Sequence, residues 1–312
     1  MSPTAYYWDP ISLEHDTGLH VECIARAECL RPEAMREMVP DLDARDVVEH
    51  DAPEWIRRLH NAWYHGWVEA SFREGRTLLD HGDTVISSGS YRAALGSVDA
   101  LLTAADAVMG GEARTAFSAM RPPGHHALPD RAMGFCLFGN IAILAVYLQT
   151  HHRLERVAIV DWDVHHGNGT QHFFWRDPNV LFASMHQHPL WPGTGRSGER
   201  GEGPGENTTL NIPVAPNTPE HDYLMLFESQ VVTAVDGFRP DIILISAGFD
   251  SHHADPIADL CMTEAGYAQM TRQLTEVASR HCEGRIISTL EGGYNLDALQ
   301  RSVAAHIVAL AE

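Results

Sequence analysis

The chain has 312 residues, of which 44% are apolar and 21% charged, a composition typical of a soluble globular protein with one large α/β domain or two ordinary ones. Its 42 acidic residues against 22 arginines, with no lysine, give a formal charge of −20, which argues against nucleic acid as a partner. This composition excludes disorder, and a membrane-spanning helix is excluded because every apolar run is far shorter than about 18 residues.

The first residues, 1–16, contain neither the basic start nor the apolar middle of a signal peptide, so we expect a cytoplasmic location. Five cysteines are an odd number, and no two are spaced as Cys-x-x-Cys, which favours reduced thiols over disulfides or a thiolate zinc site. The negative charge either keeps the chain soluble, which is the simpler interpretation, or steers cationic small molecules and basic peptides toward it.

Apolar, β-branched runs of strand length alternate with patterns of helix length along the chain. In chain order, the predicted elements are helices at 54–74 and 90–109, a strand at 115–120, a helix at 139–150, strands at 156–163, 179–186 and 208–214, a helix at 219–238, a strand at 241–250, a helix at 263–280, a strand at 285–293 and a helix at 296–310. This alternation predicts an α/β fold, with a mostly parallel sheet flanked by helices. Because no repeat or linker divides the chain, we expect a single domain over 1–312.

A Gly/Pro-rich segment at 189–207 joins two predicted strands and is long for a connection within a compact domain. Loops of this length commonly serve a binding or catalytic site. In open α/β sheets such sites lie at the carboxyl ends of the strands. The candidates for function are therefore the residues that directly follow each predicted strand.

Three side chains at two of these strand ends have the character of metal ligands. Asp163 and His165 are two residues apart, which puts both side chains on one face of an extended chain. Asp250 ends a second strand and supplies a third donor. Two carboxylates and one imidazole indicate an open site of catalytic type for zinc or a similar divalent ion, because a structural zinc site is more often closed by thiolates. The chain therefore has the features of a metallohydrolase.

Two further motifs occupy strand ends. "RPPGHH", with His125 and His126, follows the strand at 115–120, and "EGGYN", with Tyr294, ends the last strand. Each motif alone has an ordinary interpretation, as a capped turn for the histidine pair and as packing for the tyrosine. Their joint occurrence with the metal ligands at the ends of one sheet favours a functional site.

These motifs together point to a family. "RPPGHH", "GFCLFGNIAI", "DWDVHHGNGT", "GFDSHHADP" and "EGGYN" stand in the order found in zinc-dependent histone deacetylases of the arginase/deacetylase superfamily. The chain resembles the class II branch and its bacterial deacetylase-like amidohydrolases. Near the N-terminus, "LHVECIAR" resembles the family's His-Pro-Glu-x-Pro-x-Arg stretch, with Val21 and Ile24 in place of the prolines. The resemblance implies an arginase/deacetylase-like sheet of about eight strands and hydrolysis of the linear amide bond of an acylated amine.

The resemblance also implies a role for each matching residue. Asp163, His165 and Asp250 would bind one zinc ion, with iron(II) as the alternative, which polarises the acyl carbonyl and activates water. His126 would act as the general base and then the general acid. His125 would act mainly through its charge.

Three more residues would support this chemistry. Asp161 would hold His125, and Asn168 would hold His126; an asparagine at 168 follows the class II pattern, where class I relatives carry an aspartate. By resemblance, the Tyr294 hydroxyl would donate a hydrogen bond to the developing oxyanion.

Contacts with the substrate are likewise implied by resemblance. They are Phe135 and Trp191 as aromatic walls of a tunnel, Gly134 as the point of close approach, Asp83 at the rim, Ile257 near the mouth and Arg26 near a foot pocket. Asp83 has a second interpretation of equal weight, as the N-cap of the helix that begins near Ser90.

A monovalent cation, expected to be potassium, would lie beside the zinc-binding strand. By resemblance, its ligands are the backbone around Asp161, Asp163 and His165, together with Ser184 and Met185.

Other functions stay open at this point. An acetylpolyamine amidohydrolase would share the chemistry, but relatives specialised for polyamines carry an acidic residue where this chain has Ile257. A dimanganese ureohydrolase of the arginase type would need carboxylates in place of Gly167 and His252. A non-catalytic acyl-lysine binding module is disfavoured because Tyr294 and the ligands are present. The 189–207 loop could cover the site or pair with a second subunit, so an oligomer is also possible.

Overall fold

All strands of the protein run parallel to their neighbours in one sheet. The structure is a computed structural model that describes residues 4–80 and 82–312, so the predicted domain 1–312 includes four positions outside the described part. The strands are β1 Ala5–Tyr7, β2 Asp43–Arg45, β3 Thr115–Ser118, β4 Val157–Asp161, β5 Val180–Gln187, β6 Thr209–Val214, β7 Ile242–Ala247 and β8 Ile286–Leu290. Their order across the sheet is β2-β1-β3-β8-β7-β4-β5-β6. The predicted parallel sheet of about eight strands is confirmed.

Helices cover both faces of the sheet. They are α1 Ile24–Glu28, α2 Pro32–Met35, α3 Ala52–Leu59, α4 Ala62–Arg73, α5 Ser90–Met109, α6 Asn140–Thr150, α7 Asn168–Phe174, α8 Glu220–Leu226, α9 Thr233–Phe238, α10 Glu264–His281 and α11 Leu296–Ala311. A π-helical segment, Phe227–Val232, joins α8 to α9, and short 3-10 helices occur at Pro10–Glu14 and Gly203–Gly205. Among the described residues, no helix is both long enough and apolar enough to cross a membrane.

Each predicted strand is present, but two predicted helices differ from the structure. The helix predicted at 54–74 is divided, because His60 is extended with ψ of 153° and the Asn61 amide donates to the Pro129 carbonyl at 2.8 Å. The helix predicted at 219–238 begins at Glu220 and contains the π-helical segment. Strands β1 and β2 were not predicted, because three residues are too few to show a period of two.

Residues in the strands alternate between two cores. In β4, Ala158 and Val160 pack into the core on one face, whereas Val157 and Ile159 pack into the core on the other. Every residue of β4 is buried, as expected for a parallel strand that is covered on both sides. Fully burying a valine or isoleucine side chain contributes roughly 1.5 to 3 kcal/mol. The strand that leads to Asp163 is therefore a firmly packed base for the site.

Four predicted strands end earlier than expected. The sheet stops at Ser118, Asp161, Ala247 and Leu290, so the residues that follow leave the sheet as loops. These loops are joined by backbone hydrogen bonds, among them Phe249 N–H to the Gly292 carbonyl at 2.9 Å. The loops are thus held against each other at the edge where the strands end.

Candidate active site

The four strands that precede the predicted motifs are neighbours in the centre of the sheet. They lie in the order β3-β8-β7-β4. Asp161 of β4 is opposite Ser246 of β7, and Ala247 of β7 is opposite Leu290 of β8. Because all these strands are parallel, their carboxyl ends meet at one edge. The structure therefore brings the motifs together, as the sequence predicts.

Asp163, His165 and Asp250 converge on one point. One ligand atom from each lies within 4.8 Å of the other two. His165 Nδ1 is 3.1 Å from Asp163 Oδ1 and 3.3 Å from Asp250 Oδ2. The opposite carboxylate oxygens are held by backbone amides, since Gly292 N–H donates to Asp163 Oδ2 at 2.8 Å and Val164 N–H donates to Asp250 Oδ1 at 2.9 Å. The remaining oxygens therefore face the imidazole.

This cluster fits a divalent cation. Asp250 Oδ2 is buried and has no hydrogen-bond partner among the described residues, which is costly for a carboxylate oxygen unless an ion binds it. Although burial opposes it, the nearby carboxylates of Asp163 and Asp250 raise the pKa of His165 to about 10, so they favour a positive charge between them. A Cβ at Gly292 would collide with both carboxylates. Two carboxylates and an imidazole suit zinc and related ions.

His125 lies beneath this cluster and is bound to Asp161. Its Nδ1 donates to Asp161 Oδ2 at 3.0 Å, and its Nε2 is 3.8 Å from Asp163 Oδ1. Burial opposes a charge on this ring, but the carboxylates of Asp161, Asp163 and Glu291 raise the pKa of His125 well above its usual value. Burial raises the pKa of the Asp161 carboxyl to about 6.

His126 has the opposite electrostatic environment. Its Nδ1 lies 2.8 Å from Asn168 Oδ1, and the amide nitrogen of Asn168 donates to the His126 carbonyl at 3.4 Å. Because that amide nitrogen already faces a carbonyl, Oδ1 must face the ring and accept the Nδ1 proton. Burial, with the positive charges of His125 and His165, lowers the pKa of His126 well below its usual value. Its Nε2 has no partner among the described residues and is free to accept a proton.

Glu291 is a member of the site that the sequence analysis did not assign. It is fully buried, and its Oε2 accepts hydrogen bonds from Gly124 N–H at 2.7 Å and His125 N–H at 3.2 Å. Its Oε1 accepts from the Ser246 hydroxyl at 3.0 Å. Burial raises the pKa of Glu291 to about 7. The sequence signal that could have identified Glu291 is its position as the first residue of "EGGYN", the motif that contains Tyr294.

Tyr294 is held from two sides. Its backbone amide donates to Asp255 Oδ2 at 2.7 Å, and the Arg26 guanidinium lies 4.9 Å from the centre of its ring. Burial raises the pKa of Tyr294 well above its usual value, so the phenol keeps its proton and can donate it in a hydrogen bond.

The Arg26 side chain, expected near a foot pocket, is bound to the backbone on both sides of Gly292. Its Nε donates to the Gly293 carbonyl at 2.7 Å, one Nη donates to the Glu291 carbonyl at 2.6 Å, and the other donates to Glu22 at 2.9 Å. The side chain is fully buried and does not line the cavity at the site. Arg26 therefore fixes the backbone on both sides of Gly292 rather than touching that cavity.

A cavity of about 470 Å³ opens onto the ligand cluster. Its lining comprises Gly82, Asp83, Pro123, His125, His126, Gly134, Phe135, His165, Trp191, Gly292 and Tyr294. The Phe135 ring lies edge-on to Tyr294 at 6.1 Å, and Trp191 lies edge-on to His126 at 4.7 Å and is 42% exposed. A Cβ at Gly134 would collide with His126 and Trp191. Trp191 therefore approaches His126 closely only because residue 134 is glycine.

Two predicted rim residues have different positions. Asp83 lines the cavity, and the N-cap of α5 is Gly89, which leaves the capping interpretation of Asp83 unsupported. Ile257 does not line the cavity; its amide donates to Asp255 Oδ1 at 3.1 Å. Its apolar side chain thus carries less weight for substrate choice than the sequence suggested.

The loop that carries Trp191 is anchored by side chains that the sequence did not single out. Glu199 accepts hydrogen bonds from Gln171 Nε2 at 2.8 Å, Arg196 N–H at 3.1 Å and Gly195 N–H at 3.2 Å. Although burial opposes it, this set of hydrogen bonds lowers the pKa of Glu199.

The potassium site stays a prediction. Asp161 and Ser184 are opposite each other on β4 and β5, but Ser184 Oγ lies 2.9 Å from His186 Nδ1, and the Met185 carbonyl accepts from the Tyr223 hydroxyl at 3.2 Å. These groups are close in space, and no feature of the described residues tests the ion.

The arginase-type alternative lacks its second set of carboxylates. A Cβ at Gly167 would collide with Asp161, so a larger residue does not fit there. His252 Nε2 faces Glu264 at 3.6 Å, on a contact separate from the ligand cluster. In the part of the chain that the structure describes, one group of metal-binding type lies at the strand ends.

Comparison with known proteins gives consistent results. The sequence-family model for the histone deacetylase domain matches residues 20–310 of this chain. A probable deacetylase of Archaeoglobus fulgidus is 43% identical over 78% of this chain and 67% of its own length. A histone deacetylase-like amidohydrolase of Pseudomonas aeruginosa is 37% identical over 94% of this chain and 82% of its own length. The crystal structure of the HDA15 HD domain superposes with a TM-score of 0.92 at 33% identity, covering 100% of this chain and 89% of that one.

Proposed function

The chain belongs to the histone deacetylase family, and on that basis we propose that it is a zinc-dependent amidohydrolase that removes acetyl or other acyl groups from an acylated amine. The observation that carries this proposal is the position of His126. A neutral imidazole with an unoccupied Nε2 shares one cavity with His165 of the ligand cluster and with the phenol of Tyr294. An amide hydrolase needs a base, an oxyanion donor and an electrophile side by side.

Asp163, His165 and Asp250 would hold the metal ion. When bound there, zinc supplies a Lewis acid for the acyl carbonyl and lowers the pKa of water. Their donor set of two oxygens and one nitrogen leaves room for water and substrate.

The other steps belong to side chains of the protein. His126 Nε2 takes a proton from the attacking water and returns it to the nitrogen of the departing amine. His125, bound to Asp161, supplies positive charge beside the developing negative charge on the acyl group. Tyr294 donates its hydroxyl proton in a hydrogen bond to the oxyanion, and Glu291 orients the backbone that carries the histidine pair.

We propose an acyl-lysine side chain, or an amine of similar shape, as the substrate. Phe135 and Trp191 would enclose its methylene chain and exclude water from the reacting carbonyl. Asp83 at the rim would accept a hydrogen bond from the backbone of a peptide substrate. An N-acetylpolyamine is the second candidate, favoured by the formal charge of −20, which attracts cations.

Some finer predictions from the sequence remain proposals. They are a single catalytic domain over 1–312, a potassium ion around Asp161, Ser184 and Met185, a cytoplasmic location, and a 189–207 loop that either covers the site or pairs with a second subunit in an oligomer.

A panel of acylated amines tests the proposal. Metal-stripped protein would be loaded with zinc or with iron(II) and given an acetyl-lysine peptide, longer acyl-lysine peptides and an N-acetylpolyamine. We expect hydrolysis of at least one acyl-lysine peptide, with Tyr294→Phe as the matched inactive control. Turnover of the polyamine alone would assign the second candidate, and binding without turnover would assign an acyl-lysine binding module.

A further inference from the structure

A second group of metal-binding side chains lies on the far side of the protein. Asp106, His151 and His152 each offer a ligand atom within 4.8 Å of the other two. Asp106 is in the last turn of α5, and the two histidines directly follow the end of α6. We propose that these residues bind a divalent transition-metal ion of the zinc class, at a site separate from the catalytic one.

The distances around the Asp106 carboxylate suit such an ion. His152 Nε2 lies 2.8 Å from Asp106 Oδ1, and His50 Nε2 lies 3.1 Å from Asp106 Oδ2. In a tetrahedral zinc site with bonds of about 2.0 to 2.1 Å, neighbouring ligand atoms are about 3.3 Å apart. A small rotation of the Asp106, His151 and His152 side chains therefore places their ligand atoms around one ion.

Neighbouring groups orient the Asp106 carboxylate and the His151 ring. His50, beside the cluster, is bound on both sides, since its Nδ1 lies 2.9 Å from the Val48 carbonyl and its Nε2 lies 3.1 Å from Asp106 Oδ2. The Tyr147 hydroxyl donates to Asp106 Oδ1 at 2.7 Å, and the Tyr147 ring stacks on His151 at 4.9 Å and 11°. Hydrogen bonds of this kind to ligating carboxylates and imidazoles increase metal affinity.

Charge also favours a cation here. The carboxyl ends of α5 and α6 meet at the cluster, and each helix end carries a partial negative charge from its free carbonyl groups. The Asp106 side chain is 44% exposed, so an ion can enter from solvent. Two helix ends, one carboxylate and two imidazoles form a site that attracts cations, and Asp106 has no lysine or arginine partner among the described residues.

The cluster is distant from the catalytic site. Asn140 begins α6 next to the catalytic loop, where its side chain donates to the Pro122 carbonyl at 3.1 Å. The 11 residues of α6 rise by about 16 Å before His151 is reached. The ion would therefore join the carboxyl ends of α5 and α6 and would take no part in hydrolysis.

Zinc content separates this site from the catalytic one. Metal-stripped protein would be dialysed against zinc, freed of excess ion and assayed for zinc per chain. We expect about two ions for the unmodified chain and about one for the double variant His151→Ala/His152→Ala, with unchanged deacylase activity. His221→Ala is the matched control, because His221 is also an exposed histidine beside a carboxylate, Asp222, at 3.0 Å.

A second variant, Tyr147→Phe, leaves the proposed ligands Asp106, His151 and His152 in place. Tyr147→Phe removes only the hydrogen bond to Asp106, and we expect zinc affinity at this site to fall by about tenfold. Equal zinc content and affinity in the unmodified chain, the double variant and Tyr147→Phe would overturn the proposal. The ion that remains in the double variant is the catalytic one. Its loss in Asp250→Asn would test the catalytic site and not the site at Asp106.

Discussion

The Asn168 amide and the His126 ring are joined by a hydrogen bond of 2.8 Å that fixes which nitrogen of the ring carries the proton. The Asn168 amide nitrogen is bound to the His126 carbonyl, so the amide cannot turn to offer a donor to the ring. His126 is therefore held with its Nδ1 protonated and its Nε2 free. This relationship makes the imidazole a base.

Replacing this amide changes the pH dependence of the reaction. In Asn168→Asp, a carboxylate raises the pKa of His126 by about 1 unit or more, because it favours the charged ring. Since the base must be neutral, the acidic limb of the kcat/KM profile moves to higher pH. In Asn168→Leu the ring loses its orienting partner, and kcat falls about 10-fold to 100-fold. Identical pH profiles for the unmodified chain and Asn168→Asp would contradict the assigned base.

Removal of the Tyr294 hydroxyl tests the oxyanion contact. We expect Tyr294→Phe to lower kcat by about 100-fold to 1000-fold, because one donor to the transition state is lost. Zinc content and KM should change little, since the ring still packs against Phe135 and Arg26. A kcat within about twofold of the unmodified value would remove Tyr294 from the mechanism.

Removal of one metal ligand tests the ion site. Zinc added at about 1,000 times its Kd stabilises the folded chain by about 4 kcal/mol, because it binds only the folded state. In the His151→Ala/His152→Ala background, where the second proposed site is removed, Asp250→Asn should lose most of this stabilisation together with turnover. Asp259→Asn, at an exposed carboxylate on the same segment, is the control and should retain both. Thermal unfolding with and without zinc measures the difference.

Loosening the loop that carries Trp191 should affect substrate binding more than chemistry. Glu199→Ala removes the acceptor of three hydrogen bonds, so Trp191 is held less firmly over the cavity. We expect KM for acyl-lysine peptides to rise by about tenfold with a smaller change in kcat. Glu202→Ala, at an exposed glutamate in the same loop, should leave both constants unchanged.

Acid should destabilise the fold through buried neutral histidines. His306 is fully buried between Thr271 and Ser288, and burial lowers its pKa to about 3. Since the unfolded chain binds this proton near pH 6.5 and the folded chain does not, the stability is present above that pH and is lost as the pH falls. Between pH 7.5 and 4.5, this residue accounts for a loss of about 2 to 3 kcal/mol. Urea unfolding should show a shallower pH dependence for His306→Gln, and equal slopes would contradict this.

The ligand cluster could be predicted because its signal is local. Asp163 and His165 are two residues apart at the end of a strongly apolar strand, and Asp250 ends another, so topology alone brings them to one edge. The order of the strands across the sheet confirms that expectation.

Residues that act through distant partners could not be predicted in the same way. Glu291 binds Gly124, which is 167 positions away in sequence, and the anchoring of the Trp191 loop by Glu199 depends on Gln171 of another segment. Arg26 was assigned to the substrate pocket, yet its donors are taken by carbonyl groups and Glu22. No short motif encodes such contacts, because they arise only when the sheet brings separate loops together.

Zinc titration of metal-stripped protein, followed by turnover of an acetyl-lysine peptide, tests the central claim most directly. The double variant His151→Ala/His152→Ala would be used, so that the catalytic site alone is filled. We predict a rate that rises in proportion to added zinc and reaches a plateau at about one ion per chain. Full turnover by the stripped chain, or no hydrolysis of any acylated amine once the ion is bound, would contradict the account.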